Sequence, residues 1–143
     1  MISMLAKAPS LQEAIDAAVD GDTVTLLADR TESVTVGKSI TLDLGGHTLS
    51  TSTDGEDQAT IVLRDNKILT IKNGTIVGGE AKYGSSASAI DAEGGVNLED
   101  VTISGCTGPG YAITMEAYSD LGKDLHFTNV TVSGTQSHVI WVK

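Results

Sequence analysis

The chain repeats itself along most of its length, and this repeat restricts its possible folds more than any other feature. Three segments align without gaps, and a fourth aligns with one extra residue: Leu69–Gly79, Val96–Cys106, Leu125–Thr135 and Ile40–Thr51. A second set of short segments falls between them: Thr60–Arg64, Ala89–Glu93, Ala112–Glu116 and Val139–Lys143. A period of roughly 20–50 residues indicates a solenoid or another architecture of stacked repeats.

Apolar and polar residues alternate inside these segments, as in strands that bury one face. One column of the aligned repeats is isoleucine throughout: Ile61, Ile90, Ile113 and Ile140. A single repeat cannot bury its apolar face alone, whereas stacked repeats form one continuous core. The periodicity of a helical solenoid and the LxxLxLxxN pattern of leucine-rich repeats are both missing from the sequence. The sequence therefore predicts an all-β fold, a single-stranded right-handed parallel β-helix of about four to five coils.

A second column holds Asn73, Asp100 and Asn129, at a sharp corner of each coil. Asn and Asp tolerate the left-handed backbone conformation that such corners require, and their side chains can bond the next coil. We therefore expect this column to be structural, together with the isoleucine column.

Ahead of the repeats, the sequence predicts a capping helix over residues 10–20. Ser10 and Glu13 have the spacing of a capping box, in which the Ser10 hydroxyl accepts the Glu13 N–H and the Glu13 side chain reaches back. One apolar face is formed by Leu11, Ala14, Ile15, Ala18 and Val19, and Gly21 is expected to end the helix. Such a helix can cover the open end of a solenoid. The chain is then one β-helix domain, 1–143, with its coils in residues 22–143.

The segment SLQEAIDAAVDGDTVTLLADRTESVTVGKSITLDLGGHTLS, residues 10–50, resembles the opening of pectate-lyase-like β-helix domains of bacterial surface and secreted proteins. The corner column resembles the asparagine ladder of that superfamily. The resemblance implies the fold but leaves the function open, because the superfamily includes lyases, hydrolases, adhesins, phage tail proteins and inert stalks.

The resemblance also implies that the TIVLR-type strands form a sheet whose outer face is a polysaccharide groove. The outward columns there hold Arg64, Glu93, Glu116 and Lys143, and beside them Val62, Asp91, Thr114 and Trp141. Two carboxylates about 5 Å apart can act as acid and nucleophile of a retaining glycosidase. In the lyase alternative, Arg64 is the basic residue beside these acids. Asp91, Glu93 and Glu116 together can hold calcium. The favoured interpretation is a solvated face with Arg64–Glu93 and Glu116–Lys143 ion pairs.

The loops along one edge of the solenoid vary in length, as in repeat proteins that bind ligands there. Tyr83 and Tyr111 lie in these loops and Trp141 lies nearby, so the three rings are candidates to stack on sugars. Asp54, Glu56 and Asp57 form a second, weaker calcium candidate without EF-hand spacing, for which a solvated loop is the favoured interpretation. No cofactor other than calcium is expected.

The formal net charge of −10 argues against nucleic acid and against anionic membrane surfaces as partners. No apolar run is long enough for a membrane-spanning helix, so membrane insertion is not expected.

The first residues do not have the form of a signal peptide. We expect an extracellular or cell-surface protein whose leader is absent from this numbering, with an intracellular location as the alternative.

Three functions stay open at this stage. The first is a non-catalytic scaffold or binding module of a bacterial extracellular or surface protein, which contacts carbohydrate through loops on one edge. The alternatives are a polysaccharide lyase or glycoside hydrolase, or a fragment of one, and a phage tail or spike component. The strand at residues 139–143 carries apolar residues with no further coil after it, so we expect a homo-oligomer, or the remainder of a longer chain, at this edge.

Overall fold

A computed structural model of the chain describes residues 3–5, 10–51, 59–79, 88–108, 111–116, 124–134 and 139–142. The helix and strands, in chain order, are β1 Ser3–Leu5, α1 Leu11–Ala17, β2 Thr23–Thr25, β3 Arg30–Thr31, β4 Val34–Val36, β5 Thr41–Asp43, β6 Thr48–Ser50, β7 Ile61–Leu63, β8 Ile68–Val77, β9 Ser88–Ala92, β10 Gly95–Ser104, β11 Tyr111–Met115, β12 Leu125–Val132 and β13 Ile140–Val142. Apart from α1, the regular structure of the described part of the chain is therefore all β-strand, as the alternation predicted.

The strands form two sheets in which every pairing is parallel. The eight-stranded sheet has the order β1-β2-β5-β8-β10-β12, with β3 and β6 beside this path, and the five-stranded sheet has the order β4-β7-β9-β11-β13. The chain passes from one sheet to the other and back in each coil, which makes the fold a parallel β-solenoid and confirms the predicted class.

The solenoid makes about 3 turns, fewer than the four to five predicted from the aligned segments. The alignment counted every strand-like segment as part of a coil, including those at the two ends. In the five-stranded sheet, β7, β9 and β11 have a neighbour on both sides, whereas β4 and β13 are the end strands. The sequence therefore located the repeats correctly and overestimated the number of turns.

The isoleucine column is real, because Ile61 pairs with Ile90, Ile90 with Ile113, and Ile113 with Ile140. The first three are completely buried, and Ile140, on the end strand, is exposed. Stacking like side chains about 4.8 Å apart lets branched aliphatic residues fill the interior without aromatic rings. The core is accordingly aliphatic, with Leu, Ile, Val and Ala as its main components.

The corner column adopts the left-handed backbone conformation, with φ of 61° at Asn73, 53° at Asp100 and 51° at Asn129. The amide of Asn129 donates to the carboxylate of Asp100 one coil away at 2.8 Å. The amide of Asn73 donates to Asp43, in the preceding coil, at 3.3 Å. This column is a ladder of side chains between coils, and the structural role predicted for it is confirmed.

The repeat at residues 40–51 contains two extra residues rather than the single one predicted. Asp43 pairs with Lys72 and Thr48 with Thr75, so four residues on one coil stand against two on the next. The extra residues form a turn with Gly45 at φ 61°, where a Cβ atom would lie 2.6 Å from the Leu26 carbonyl oxygen. Only glycine fits that close approach.

Helix α1 begins as predicted and ends early. The Ser10 hydroxyl accepts the Glu13 N–H at 3.1 Å, which confirms half of the capping box. The helix stops at Ala17 and Ala18 is already extended, so Gly21 does not terminate it and the predicted span of 10–20 is too long. Val19 consequently leaves the apolar face and is exposed, contrary to expectation. The other four predicted residues of that face are buried.

The first coil holds α1 at both ends. The Glu32 carboxylate accepts the N–H groups of Leu11 and Gln12, at 2.9 and 2.7 Å, where the helix N-terminus leaves donors unpaired. The Lys38 ammonium donates to the carbonyls of Ile15 and Ala18 at the opposite terminus, at 2.9 and 2.6 Å. An anion at the N-terminus and a cation at the C-terminus both match the helix dipole. These contacts fix the helix over the end of the solenoid.

Candidate functional site

The outer face of the five-stranded sheet carries one continuous outward column. Thr35 pairs with Val62, Val62 with Asp91, Asp91 with Thr114, and Thr114 with Trp141. Sequence comparison placed the last four in one column, and this register is confirmed. Thr35 was missed because the strand Val34–Val36 was not aligned with the TIVLR-type segments, although its own alternation places Thr35 outward.

A cleft of about 260 Å³ opens near the helix-capped end of this face. It is lined by Ser33, Val34, Thr35, Ala59, Val62, Arg64 and Asp91. Its walls combine hydroxyl groups, one carboxylate and one guanidinium with small apolar surfaces. Asp91 and Arg64, two of the predicted candidate residues, thus line the same cleft. This size and mixture suit a small polar ligand.

The predicted Arg64–Glu93 ion pair is present, with an N–O distance of 2.7 Å between partly exposed side chains. Glu116 follows Glu93 on the next coil, where its N–H donates to the Ala92 carbonyl. Its predicted partner Lys143 lies outside the described residues, so that pair stays a prediction. Because Glu93 holds the Arg64 guanidinium, the basic group beside the acids is already engaged in an ion pair.

The outer face does not form one open groove, because its centre is covered. Thr114 is only 1 % exposed although it points outward between Asp91 and Trp141 in the column. Its hydroxyl shares a buried hydrogen bond of 2.7 Å with the Ser88 hydroxyl. The cleft and the Trp141 end of the column are therefore separate surfaces.

At the other end of the column, two of the three predicted aromatic binding residues come together, although Tyr111 is the first residue of β11 and does not lie in a loop as predicted. The rings of Tyr111 and Trp141 are stacked, with centroids 4.9 Å apart and planes inclined by 28°. Both residues remain partly accessible, Trp141 at 38 %. The third candidate, Tyr83, lies outside the described residues.

Within the described residues, no group of three or more His, Cys, Asp or Glu side chains is arranged to hold a metal ion. Asp91, Glu93 and Glu116 are close in register, yet they do not form such a group. Asp54, Glu56 and Asp57 lie outside the described residues, so their calcium site stays a prediction.

None of the helical structure within the described residues is long and apolar enough to cross a membrane.

Cys106 is buried between neighbouring coils. Burial raises the pKa of its thiol, and backbone hydrogen bonds with Ala89 and Gly78 partly oppose that rise. A thiol kept protonated is a poor nucleophile. The structure thus favours a packing role for this residue.

The fold and the outer face define a β-solenoid protein with a polar cleft and an aromatic pair on one sheet. Comparison of the chain with protein-family models, with curated proteins and with solved structures gives no match. The parallel β-solenoid is therefore shown by the structure, and the resemblance of residues 10–50 to pectate-lyase-like domains stays a prediction.

Proposed function

We propose that this chain is a non-catalytic scaffold and binding module, which holds carbohydrate against the Tyr111–Trp141 pair. The observation that carries the proposal is the stacking of these two rings on an accessible face. The chain has only five aromatic residues, namely one Trp, one Phe and three Tyr. Since the core is aliphatic, placing two of those five together at the surface does not serve the packing of the interior.

Stacked Tyr and Trp rings offer an apolar plane with polar atoms at its margin. The C–H face of a pyranose matches that combination, and neighbouring hydroxyls of the sugar can bond polar groups at the rim. The pair lies at the end of the outward column, beside Thr114 on β11. The resemblance of residues 10–50 to surface and secreted β-helix domains supports an extracellular or cell-surface setting for such a module.

The enzyme alternative is favoured by one observation, the cleft lined by Asp91 and Arg64. Two features weigh against it. Arg64 is paired with Glu93 at 2.7 Å, and the buried Thr114 interrupts the face along which a polysaccharide chain would extend. The binding proposal needs neither a proton donor nor a continuous groove, so it agrees better with this geometry.

Trp141 is the single tryptophan of the chain, so intrinsic fluorescence reports directly on the proposed site. We expect a glycan array to identify a ligand whose titration changes the Trp141 emission. Tyr111→Ala should weaken its binding by at least about tenfold, equivalent to about 1.4 kcal/mol. Phe127→Ala is the control, because Phe127 is an exposed aromatic residue on the neighbouring sheet.

A ligand bound equally well by Tyr111→Ala would contradict the proposal. The enzyme alternative is tested on the same samples. Polygalacturonate, alginate and chondroitin are incubated with the protein and calcium, and unsaturated products or new reducing ends are measured. Turnover abolished by Asp91→Asn would replace the binding proposal with the enzyme alternative.

A further inference from the structure

The cleft near the helix-capped end lies apart from the aromatic pair and can bind a ligand of its own. Three successive coils contribute to its lining, through β4, through β7 with the residues that flank it, and through Asp91 on β9. Parallel pairing fixes each of these coils against its neighbours, so the lining is in place before a ligand arrives. The cleft is therefore a preformed site.

The volume of the cleft limits the size of its ligand. Pockets for drug-sized molecules usually occupy about 300–1,000 Å³. This cleft holds about 260 Å³. Thr114, which follows Asp91 in the outward column, is buried, so the cleft does not continue along the column as a groove. The ligand that fits is a single small molecule rather than a stretch of polymer.

Two opposite charges line this small space. Val62 pairs with Asp91 on the next coil, and Arg64 follows two residues after Val62. One strand spacing across and two residues along place the Cα atoms of Arg64 and Asp91 about 8 Å apart. The ion pair of Arg64 is with Glu93 rather than with Asp91. An anion and a cation thus line the same cavity with room for a ligand between them.

Glu93 positions the Arg64 guanidinium without using all of its donors. A guanidinium has five N–H donors in a planar fork, and the bond to Glu93 uses Nη1 at 2.7 Å. Glu93 is itself held, since its other oxygen accepts the Asp65 N–H at 3.4 Å. An ion-paired guanidinium is a poor base, yet its remaining donors can bind a ligand carboxylate.

Asp91 supplies the complementary anion at the far side of Val62. Its side chain is partly buried, and a carboxylate with less water around it attracts an ammonium group more strongly than one at the open surface. The hydroxyls of Ser33 and Thr35 add hydrogen-bonding groups, and Val62 adds apolar surface. The lining therefore matches a molecule that carries both charges and a short apolar part.

We propose that the cleft binds a small zwitterion, an α-amino acid with a short aliphatic side chain. Arg64 binds the ligand carboxylate, Asp91 binds its ammonium group, and Val62 packs against its side chain. A simple carboxylate or a sugar acid lacks the cation that Asp91 attracts, and a simple amine lacks the anion that Arg64 attracts. The proposal is independent of carbohydrate binding at Tyr111 and Trp141.

The test is a titration of the ¹⁵N-labelled full chain with L-valine and two of its analogues, followed by the chemical shifts of the protein amides. Isobutylamine has the same branched side chain but no carboxylate, and isovalerate has that side chain but no ammonium. L-valine should bind at least about tenfold more tightly than either analogue. The shift changes should centre on Thr35, Val62 and Asp91 and leave Trp141 unchanged.

Two variants assign the two charges of the ligand. Asp91→Asn should weaken the binding of L-valine and isobutylamine, but not of isovalerate, at least about tenfold. Arg64→Met should weaken L-valine and isovalerate by the same factor, but not isobutylamine. Asp65→Asn and Lys67→Met are the matched controls. Asp65 is an exposed carboxylate next to Arg64, and the side chain of Lys67 is 37 % exposed against 40 % for Arg64.

The analogue series needs no mutation, so it decides the question even where circular dichroism shows that a variant is unfolded. Absence of shift changes with L-valine up to about 10 mM, ten times a Kd of 1 mM, would overturn the proposal. Isovalerate or isobutylamine bound as tightly as L-valine would overturn it as well. Galacturonate bound more tightly than L-valine would assign the cleft to a sugar acid instead. Because L-valine is detected at Val62 and a glycan at Trp141, this proposal and the proposed function can fail separately.

Discussion

The side-chain amide of Gln12 pairs with the main chain of Thr35 as a neighbouring strand would. Its oxygen accepts the Thr35 N–H at 2.8 Å, and its nitrogen donates to the Thr35 carbonyl at 2.9 Å. The peptide groups of Val34 and Val36 bond the next coil, so those of Thr35 point out of the solenoid. One glutamine on α1 thereby satisfies the exposed edge of β4, which limits edge-to-edge association at this end.

Gln12→Ala should lower the free energy of unfolding by about 1–3 kcal/mol, because two hydrogen bonds to the edge are lost. Gln12→Glu has nearly the same volume but sets a second oxygen against the Thr35 carbonyl. It should therefore destabilise at neutral pH at least as much as alanine. Urea denaturation measures both variants, and full recovery of stability by glutamate would mean that packing, rather than pairing, explains the effect.

Lys38→Met should lower the free energy of unfolding by about 1 kcal/mol, because the carbonyls at the end of α1 lose their cation. The control is Lys67→Met, since Lys67 makes only a 3.9 Å ion pair with exposed Asp20. That variant should stay within about 0.5 kcal/mol of the parent. Equal losses in the two variants would show that Lys38 has no special role at the helix terminus.

Ile90→Asp should abolish cooperative unfolding, because it places an unpaired charge in the completely buried isoleucine column. The expected cost of about 3–5 kcal/mol is a large part of the stability of a small domain. Ile68→Asp is the comparison, since Ile68 is exposed on β8. Thermal melts followed by circular dichroism should show a normal transition for Ile68→Asp alone.

Asn129→Ala and Asn129→Gly separate backbone conformation from side-chain bonding at the corner ladder. Both variants lose the bond to Asp100, but only alanine is strained at a φ of 51°. Alanine should therefore be less stable than glycine by about 1–2 kcal/mol. Chemical denaturation gives the difference, and alanine as stable as glycine would contradict the left-handed corner.

Cys106 should make stability fall at high pH. Its folded pKa is raised by burial, so above the ordinary value of 9.0 the unfolded chain loses the thiol proton before the folded chain does. Stability from the buried thiol is thus complete below pH 9 and is lost as the pH rises through the folded pKa. The stability of the parent minus that of Cys106→Ala should shrink from pH 7 to pH 10, whereas a constant difference would refute the linkage.

Features that recur at the same position of every coil were predictable from the sequence, and contacts between unlike positions of the chain were not. The columns of Ile90 and of Asn129 follow from alternation and spacing, because in a parallel stack the register is set by the repeat itself. The early end of α1 was missed because Lys38, from the segment between β4 and β5, bonds carbonyls at its C-terminus. The sequence itself shows only an apolar pattern of helical spacing that continues to Val19.

The candidate site was predictable in part for the same reason. Asp91 and Trp141 were assigned to one outward column, and this was correct. The burial of Thr114 and the stacking of Tyr111 on Trp141 depend on side-chain packing across coils, which no local pattern records. The cleft also includes Ser33 and Thr35 from the first coil, whose segment lacked the repeat signature.

Because the coils stack in parallel register, distances along the solenoid axis are multiples of one strand spacing. Gly95 pairs with Ile68, 27 residues earlier, so one coil is an interchangeable unit of chain. Duplication of residues 68–94 would move the cleft and the aromatic pair apart by one strand spacing, about 4.8 Å, and leave both ends unchanged. The distance between the cleft and the aromatic pair can thus change only by whole coils. A ligand that bridges both surfaces would therefore bind only to a solenoid with the matching number of coils.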